Sequence, residues 1–309
     1  MIATVTLNPS LDKTVTVEGL VIDEANRWTS LRQDPGGKGI NVSRVLHELG
    51  NETIAYGFIG GIDGQILEHL LGEQGVPHDF TPINGQIRSN FIITNLKTRR
   101  QTRIDAPGPH VSRDELEDLV GKLTHIKPKP DFLVLAGSVP PGVPDDIYRQ
   151  LIEEAKKHGV KTVLDSDDEW LKEGIKAKPN VIKPNVHETE ELLGEKLRDE
   201  AAIIQALRTL VTQGIEVVAI SRGKDGLIVA NEGKILKVIP PQVEIRSTVG
   251  AGDSAVAGLV LKLSQGDGIE EACRLAVAAG TAATLTPGTE LCRRQDVERL
   301  LPQVKVENL

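Results

Sequence analysis

The chain has 309 residues, of which 39% are hydrophobic and 26% charged, so it can build a full hydrophobic core as one large domain or two small ones and is neither collagenous nor disordered. Its net charge of -8 argues against nucleic acid or an anionic membrane as the main partner, while a local basic pocket for a small anion stays open. The sequence has no apolar run of the roughly 20 residues that span a membrane and no signal-peptide pattern, and its two cysteines fit a reducing cytoplasm.

Short apolar segments alternate with segments of helical periodicity along most of the chain. Strands are predicted at 2–7, 53–59, 132–135, 161–164, 180–183 and 217–220, with a hairpin at 227–230 and 235–238. Helices are predicted at 40–49, 64–72, 145–158, 188–193, 201–212, 255–263 and 269–284. From about Phe132 onward, this alternation predicts parallel strand pairing with helices on both faces of the sheet.

Two stretches interrupt the alternation with β-type patterns that have no helix between them. They cover residues 13–33 and 88–105, and their clearest pieces are 14–17 and 90–94. We expect both to form a small sheet outside the main one, of the kind that can close over a site as a lid. The large domain would then comprise residues 1–12, 34–87 and 106–309.

The motif richest in chemistry is STVGAGDS at 247–254, directly before a predicted helix. Gly250 and Gly252 allow a tight turn whose N–H groups face an anion, and the helix start adds further N–H groups and the positive end of its dipole. Asp253 beside such a cradle is the base that phosphoryl transfer to a hydroxyl needs. Taken alone, however, the pattern favours an ordinary helix start that Asp253 caps, since glycine-rich helix starts are common.

Two further motifs stand at predicted strand-to-helix junctions. GGKG at 36–39 leads to Asn41 but matches neither a Walker A nor a dinucleotide-binding loop, so alone it is most simply a flexible turn with a solvated lysine. Lys183 and Asn185, with Glu188 one turn later, suit a phosphate and Mg²⁺ or its waters, but alone they are most simply a turn at a helix start. Open α/β sheets bind ligands at such strand ends, so the three motifs together predict anion cradles, one base and a magnesium shell.

The lid stretches contribute charged side chains that suit a phosphate. One exposed arginine is usually a solvated surface charge, but several converging arginines bind a sugar phosphate through paired hydrogen bonds. The candidates are Asp12, Arg27, Arg88 and Arg103.

Five stretches together closely resemble the PfkB (ribokinase-like) carbohydrate kinases, and within them the branch of phosphofructokinases, 1-phosphofructokinases and tagatose-6-phosphate kinases. They are TLNPSLD at 6–12, PGGKGINVSRVL at 35–46, GSVPPGV at 137–143, KPNVHE at 183–188 and STVGAGDS at 247–254, which spread over the whole chain. The resemblance implies an α/β fold, the ribokinase-like α/β/α three-layer sandwich with a mostly parallel central sheet and a small β-sheet lid. It also implies a homodimer formed through the lid and phosphate transfer from ATP, with Mg²⁺, to a sugar phosphate.

The same resemblance implies roles for individual residues. Asp253 matches the catalytic base, and the anion hole is matched by Gly250, Ala251 and Gly252. The sugar-phosphate site is matched by Asp12, Gly37, Lys38, Gly39, Asn41, Arg88 and Ser138. ATP phosphates and Mg²⁺ are assigned to Lys183, Asn185 and Glu188, and the nucleotide to Ser221, Gly223, Gly226, Val277 and Thr281. A monovalent cation, K⁺, is implied near Ser247, Val249, Ala283 and Gly288.

Two sets of matching stretches indicate different substrates. Lys38 and the pair Asn26–Arg27 resemble the 1-phosphofructokinase and tagatose-6-phosphate branches, whereas 102–109, 138–143 and 282–292 resemble the minor 6-phosphofructokinase. We favour fructose 6-phosphate, phosphorylated to fructose 1,6-bisphosphate, with fructose 1-phosphate and tagatose 6-phosphate as alternatives. A ribose or nucleoside kinase is disfavoured by the arginines of the lid, and a non-catalytic sensor by the presence of Asp253. Two departures from the family pattern are Arg222, where leucine is usual, and DSDDEW at 165–170.

Overall fold

The computed structural model describes residues 1–309, and its elements follow the predicted order with several additions. The strands are β1 (Ile2–Thr6), β2 (Ser10–Val17), β3 (Trp28–Gly36), β4 (Thr53–Ile59), β5 (Thr81–Pro82), β6 (Arg88–Asn95), β7 (Arg100–Ile104), β8 (Phe132–Ala136), β9 (Lys161–Asp165), β10 (Val181–Ile182), β11 (Val217–Ser221), β12 (Leu227–Asn231), β13 (Ile235–Ile239) and β14 (Lys305–Asn308). The helices are α1 (Lys38–Glu48), α2 (Gly61–Glu73), α3 (Arg113–Thr124), α4 (Ile147–Lys157), α5 (Asp168–Lys176), α6 (Val186–Leu193), α7 (Glu200–Thr212), α8 (Ala251–Ser264), α9 (Ile269–Ala283) and α10 (Arg294–Leu300).

The main sheet has ten strands in the order β14-β13-β12-β11-β10-β9-β8-β1-β4-β5. The strands from β11 to β5 pair in parallel, and β12, β13 and β14 add an antiparallel edge. Strands β1 and β8 lie at the centre in the register Ile2↔Phe132 and are buried along their whole length, as parallel strands covered on both faces must be. The predicted mostly parallel sheet is therefore confirmed.

Helices cover both faces of this sheet and complete a three-layer sandwich. On one face α1, α8, α9 and α10 pack onto the sheet around a core that includes Val45, Val256 and Ala276. On the other face α3, α4, α5 and α7 do the same with residues such as Leu151 and Leu207. Helix α4 illustrates the cause, because its apolar side chains recur at helical spacing and so form one buried face.

The second sheet has four strands in the order β3-β2-β6-β7, formed by the two stretches that interrupt the alternation. Strands β2 and β6 are parallel, with Asp12 opposite Asn90 and Lys13 opposite Phe91. Since neighbouring residues along a strand point to opposite faces, Asp12 and Asn90 share one face and Phe91 lies on the other. The proposed division of the chain at residues 12, 33, 87 and 105 stays a prediction, and β2 and β3 extend past it to Ser10 and Gly36.

Several elements depart from the prediction or were absent from it. Helix α3 was missed, although its Ser112–Glu115 capping box is a recognisable start signal. Helices α5 and α10 and strands β5 and β14 were also missed. Helix α8 begins at Ala251, four residues before the predicted start, so the glycine motif forms its first turn. No helix in the structure combines the length and apolar character needed to cross a lipid bilayer.

Candidate active site

The glycine motif supplies backbone N–H groups without a backbone partner at Gly250, Gly252 and Asp253, at the start of α8, while the N–H of Ala251 donates to the carbonyl oxygen of Thr248 over 3.4 Å. Gly250 has a φ of 76°, a left-handed conformation that glycine adopts without strain, and Ala251, Gly252 and Asp253 form the first helical turn. The first N–H groups of a helix have no partner within it and carry the positive end of the helix dipole. A Cβ atom on Gly252 would lie 3.5 Å from Nζ of Lys183, so this cradle and that ammonium group face the same space.

Asp253 is 8% exposed and receives a hydrogen bond from a distant motif. Nδ2 of Asn41 on α1 donates to Oδ2 of Asp253 over 2.8 Å. Burial, followed by the charge of Asp165, raises the pKa of Asp253, while Lys38, the Asn41 hydrogen bond and Lys183 lower it. The result is a buried carboxyl of raised basicity beside an anion cradle, which is what a general base needs.

Helix α1 reaches this position because glycine lets it lie against the central strand β1. A Cβ atom on Gly39 would lie 2.6 Å from Oγ1 of Thr6 and 2.7 Å from the carbonyl oxygen of Val5. Gly37, which precedes the helix, has a φ of 116°. The Gly-rich loop therefore acts mainly through close packing, and it delivers Lys38 and Asn41 to the end of the sheet.

Two lysines from different motifs share one carboxylate. Oδ1 of Asp165, at the end of β9, lies 3.5 Å from Nζ of Lys183 and 3.6 Å from Nζ of Lys38. Burial alone would raise the pKa of Asp165, but the two ammonium groups outweigh it and lower the pKa. Burial opposes the charge of Lys38, yet the surrounding carboxylates, Asp165 first, raise its pKa above the ordinary value. Lys38 is thus charged, and both lysine side chains lie where phosphoryl oxygens would meet the cradle.

Asn185 and Glu188 form a reciprocal capping box at the start of α6. Oδ1 of Asn185 accepts from the N–H of Glu188 over 2.8 Å, and Oε2 of Glu188 accepts from the N–H of Asn185 over 2.8 Å. Burial, opposed first by Lys38, raises the pKa of Glu188. The structural role that the sequence allowed for these residues is therefore present.

Their oxygens also fit a magnesium ion bound through water. Mg²⁺ keeps several waters and takes only one or two carboxylates when it is held by nucleotide phosphates. Glu188 has its second carboxylate oxygen outside the capping box, and the chain has no cluster of three acidic, histidine or cysteine side chains that could hold a metal alone. This donor set suits an ion bound mainly by ATP phosphates.

The nucleotide motif lies next to this helix. The N–H of Ser221 donates to the carbonyl oxygen of Pro184 over 2.9 Å, and a short 3₁₀ turn over 223–225 follows. Gly226 has a φ of 80° and packs tightly against β13. Arg222 is held by Glu200 of α7 at 3.5 Å and by the carbonyl oxygen of Asp225, so the residue that replaces leucine anchors the loop on its outer side.

Val277 and Thr281 are buried on α9, where Oγ1 of Thr281 donates to the carbonyl oxygen of Val277 over 2.7 Å. The residues proposed for a cation lie together beyond the end of this helix. Oγ of Ser247 donates to the carbonyl oxygen of Gly288 over 2.7 Å and accepts from the N–H of Val249 over 3.2 Å. The carbonyl of Ala283 accepts from Thr286. Carbonyl and hydroxyl oxygens are suitable ligands for a hard cation.

A cleft of about 500 Å³ opens between the lid and the main sheet. Arg88 and Ser138 line it, together with Asn8. Nη2 and Nη1 of Arg88 donate to the carbonyl oxygens of Asn8 and Ala106, both over 3.0 Å, and Nδ2 of Asn8 donates to Oγ of Ser138 over 3.2 Å. Burial lowers the pKa of Arg88, yet a guanidinium stays charged in any protein environment. The cleft therefore presents a fixed positive charge to an anion.

The remaining candidates in and beside the lid differ in how far they are buried. Asp12 is buried and accepts from Ser10 over 2.7 Å and from Asn90 over 3.0 Å, and burial raises its pKa. Arg103 lies on the same face as Asp12 but is exposed and pairs with Asp105 at 3.2 Å. Arg27 is exposed and does not line the cleft within this chain.

The stretch that departs from the family pattern builds part of the site, and sequence reasoning missed this. Asp165 holds the two lysines, and Oγ of Ser166 donates to the carbonyl oxygen of Gly137 over 2.9 Å. Trp170 lines the cleft and donates from Nε1 to Oδ1 of Asp145 over 3.2 Å. Asn8 was also missed as a site residue. Both Asn8 and Asp165 directly follow or end a central strand, which is the one signal that could have found them.

Comparison with known proteins agrees with this geometry. A model of the pfkB family carbohydrate kinases matches residues 5–296. The 1-phosphofructokinase of Bacillus subtilis is 36% identical over the full length of both chains, and an ATP-dependent 6-phosphofructokinase isozyme 2 of Mycobacterium tuberculosis is 36% identical over 96% of this chain and 88% of its own. A crystal structure of Escherichia coli phosphofructokinase-2 in complex with potassium superposes with a TM-score of 0.94 at 33% identity and 98% coverage of both chains.

A mostly parallel sheet that ends in an anion cradle, a buried carboxylate and two lysines suits phosphoryl transfer, and the family and its relatives make the protein a phosphotransferase that acts on sugar phosphates. The chain belongs to the pfkB family of carbohydrate kinases.

Proposed function

We propose that the protein transfers the γ-phosphoryl group of ATP to fructose 6-phosphate and forms fructose 1,6-bisphosphate. The observation that carries the proposal is the convergence at one end of the sheet of Asp253 with its donor Asn41, the glycine cradle and the two lysines around Asp165, together with a cleft lined by Arg88. Fructose 1-phosphate is the second candidate, because full-length relatives with 35% and 36% identity are 1-phosphofructokinases. Tagatose 6-phosphate remains a third substrate to compare.

The proposed reaction is an in-line displacement. The free oxygen of Asp253 accepts the proton of the sugar's C1 hydroxyl, whose oxygen then forms a bond to the γ-phosphorus while the bond to the ADP oxygen breaks. ADP leaves with the electron pair of that bond. Backbone N–H groups at 250–253, with Lys183 and Lys38, stabilise the charge on the moving group.

Arg88 and Ser138 hold the phosphate that the sugar already carries, with Asp12 contacting its hydroxyl groups. We assign Lys38 to the transfer centre, since its ammonium group lies 3.6 Å from Asp165 and its side chain does not line the cleft around Arg88. We therefore assign the choice of sugar phosphate to the cleft around Arg88, with Arg103 and Arg27 as further contributors from the lid. Lys38 is expected to affect turnover more than substrate preference.

Mg²⁺ neutralises charge on the phosphates when it is bound, and Glu188 and Asn185 would hold it through water. K⁺ is the candidate cation for the carbonyls near Ser247 and Gly288, since the Escherichia coli relative has been crystallised with potassium. The two cysteines are buried free thiols, which suits the cytoplasm that we propose as its location.

We also propose a homodimer formed through the lid. Its outer face and the loop beside it expose apolar side chains that the chain itself leaves uncovered, which is unfavourable for a monomer. These residues include Ile22, Trp28, Leu31, Phe91 and Ile104. A structure of the Escherichia coli relative is described as a tetrameric inhibited form, so larger assemblies exist among similar proteins.

The test of substrate is an ADP-release assay with ATP and Mg²⁺, in which fructose 6-phosphate, fructose 1-phosphate and tagatose 6-phosphate are compared by kcat/KM. The proposal expects the highest value for fructose 6-phosphate. A higher value for either of the others assigns the enzyme to that substrate. Turnover with unphosphorylated sugars or nucleosides and with none of the three would overturn the phosphate-binding role of Arg88.

A further inference from the structure

Arg44 is a buried charged residue that the proposed reaction does not use. It lies on α1, nearly one turn after Asn41, and is 9% exposed. Its Nη1 donates to the carbonyl oxygen of Pro35 over 2.9 Å and to Oδ1 of Asn41 over 3.2 Å, and its Nε donates to Oε1 of Gln74 over 2.8 Å. Burying a guanidinium costs free energy of desolvation, which these hydrogen bonds must offset.

The contact with Asn41 determines how that amide is oriented. Guanidinium groups only donate hydrogen bonds, and ionised carboxylates only accept them. Asn41 lies between one of each, Arg44 on one side and Asp253 on the other. The only arrangement that satisfies both neighbours places Oδ1 toward Arg44 and Nδ2 toward Asp253.

We propose that Arg44 is a positioning residue that acts through Asn41 on the catalytic base. It fixes the amide so that Asn41 donates to Oδ2 of Asp253, which leaves Oδ1 of Asp253 to accept the proton of the sugar hydroxyl. This inference rests on the proposed function, because it takes Asp253 as the base.

The consequence of losing this orientation follows from the groups around Asp253. They are Asp165 at the end of β9, Lys183 after β10, the side chains of Lys38, Asn41 and Arg44 on α1, and the N–H groups of its own helix. An amide turned by half a rotation would place its oxygen against Oδ2 of Asp253. Two acceptors in contact repel unless one gains a proton, so the rotated amide favours protonated Asp253, which cannot act as a base.

Removing Arg44 takes one donor from the carbonyl oxygen of Pro35 and one from the exposed Gln74, but it leaves the buried Asp34 with partners. Asp34 is buried, but both of its carboxylate oxygens accept from Arg32 over 2.8 Å, and Oδ2 also accepts from Thr289 over 2.6 Å. Nη2 of Arg44 lies 3.8 Å from Oδ1 of Asp34, which is beyond hydrogen-bond distance. An Arg44→Met variant therefore keeps the Asp34 ion pair and is expected to fold.

The test is a double-mutant cycle on kcat with Arg44→Met and Asn41→Ala. If Arg44 acts through Asn41, Arg44→Met lowers kcat about tenfold in the wild-type background, the size of one hydrogen bond to a charged group, and less than about twofold in the Asn41→Ala background. Equal losses in both backgrounds would overturn the inference, because Arg44 would then act by its own charge or through the fold.

The pH profile supplies a readout that a structural role would not move. Loss of the Asn41 donor raises the pKa of Asp253, so the acid limb of kcat should shift upward by about one pH unit in Arg44→Met, with activity recovering at high pH. An unshifted limb contradicts the inference. The KM for ATP should stay unchanged.

Matched variants separate this effect from lost packing. Gln74→Ala removes the Nε partner of Arg44 but not the Asn41 contact, so its kcat should remain within about twofold of wild type. Arg44→Lys can only donate hydrogen bonds and should retain a higher kcat than Arg44→Gln, whose amide can turn either its oxygen or its nitrogen toward Asn41. If Arg44→Met fails to fold, the comparison of these two variants decides the question. Asp253→Asn tests the base itself, so near wild-type turnover there would overturn the proposed function, whereas additive losses in the cycle would overturn only the role of Arg44.

Discussion

Nζ of Lys183 lies 3.5 Å from Oδ1 of Asp165, at the carboxyl ends of two neighbouring strands of the main sheet. The two residues are 18 positions apart in the sequence. The pair joins the KPNVHE motif, which follows β10, to the end of the neighbouring strand β9, and Lys38 of the GGKG motif approaches the same oxygen. One carboxylate thus fixes the spacing of two ammonium groups that would otherwise repel each other across the site.

Replacing this carboxylate should destabilise the protein. Asp165→Asn leaves two like charges together, and because Lys183 is 7% exposed the free energy of unfolding should fall by about 3 kcal/mol at pH 7. Urea denaturation measures this loss. Asp146→Asn, which breaks a partly exposed pair with Arg149, is the control and should cost less than about 1 kcal/mol.

The same carboxylate predicts a dependence on acid. The pKa of Asp165 is lower in the folded protein than in an unfolded chain, so its contribution to stability is present above about pH 4 and is lost as the pH falls through the folded-state pKa. In thermal melts between pH 3 and pH 7, the melting temperature should therefore fall more steeply with decreasing pH for the wild type than for Asp165→Asn. Parallel curves would contradict the shift.

Gly252 allows function and stability to be separated. In Gly252→Ala the new Cβ meets no atom closer than Nζ of Lys183 at 3.5 Å, and alanine favours the helix by up to about 1 kcal/mol, so the fold should be as stable as the wild type or more so. The methyl group occupies the anion cradle, however, and kcat/KM should fall at least about tenfold. Gly72→Ala on α2, where nothing lies within 4 Å, is the control and should keep full activity. Unchanged activity in Gly252→Ala would remove the cradle from the site.

Arg88 should affect substrate binding more than chemistry. Arg88→Ala removes the half-buried positive charge of the cleft, so the KM for the sugar phosphate should rise about tenfold or more while kcat and the KM for ATP change little. Arg113→Ala, at an exposed arginine on α3, is the matched control. An unchanged KM in Arg88→Ala would exclude Arg88 from the site.

The lid interface can be tested by association. Phe91→Glu places a charge on the apolar outer face of the lid, so sedimentation velocity should show a monomer where the wild type shows a dimer or larger species. Ile245→Glu, at an exposed apolar residue after β13, should leave the assembly unchanged. A wild-type monomer, or a Phe91→Glu dimer, would contradict the proposed interface.

The sequence predicted those parts of the fold and site that local patterns encode. The alternation of strands and helices, the separate small sheet and the Gly250–Asp253 turn were recognised because their signals lie within a few neighbouring residues. Asp165 had only its place at a strand end as a signal and was missed, because its role depends on two lysines that only the folded sheet brings to it. Arg222 remained unexplained for the same reason, since its partner Glu200 lies far away in the sequence, at the start of α7.

The measurement that tests the account most directly is the turnover of Asp253→Asn with ATP and fructose 6-phosphate. The variant keeps the shape of the side chain and its contact with Asn41 but cannot accept the hydroxyl proton, so kcat should fall by about a hundredfold or more while ATP still binds with wild-type affinity. Turnover close to that of the wild type would contradict the assignment of Asp253 as the base and the mechanism built on it.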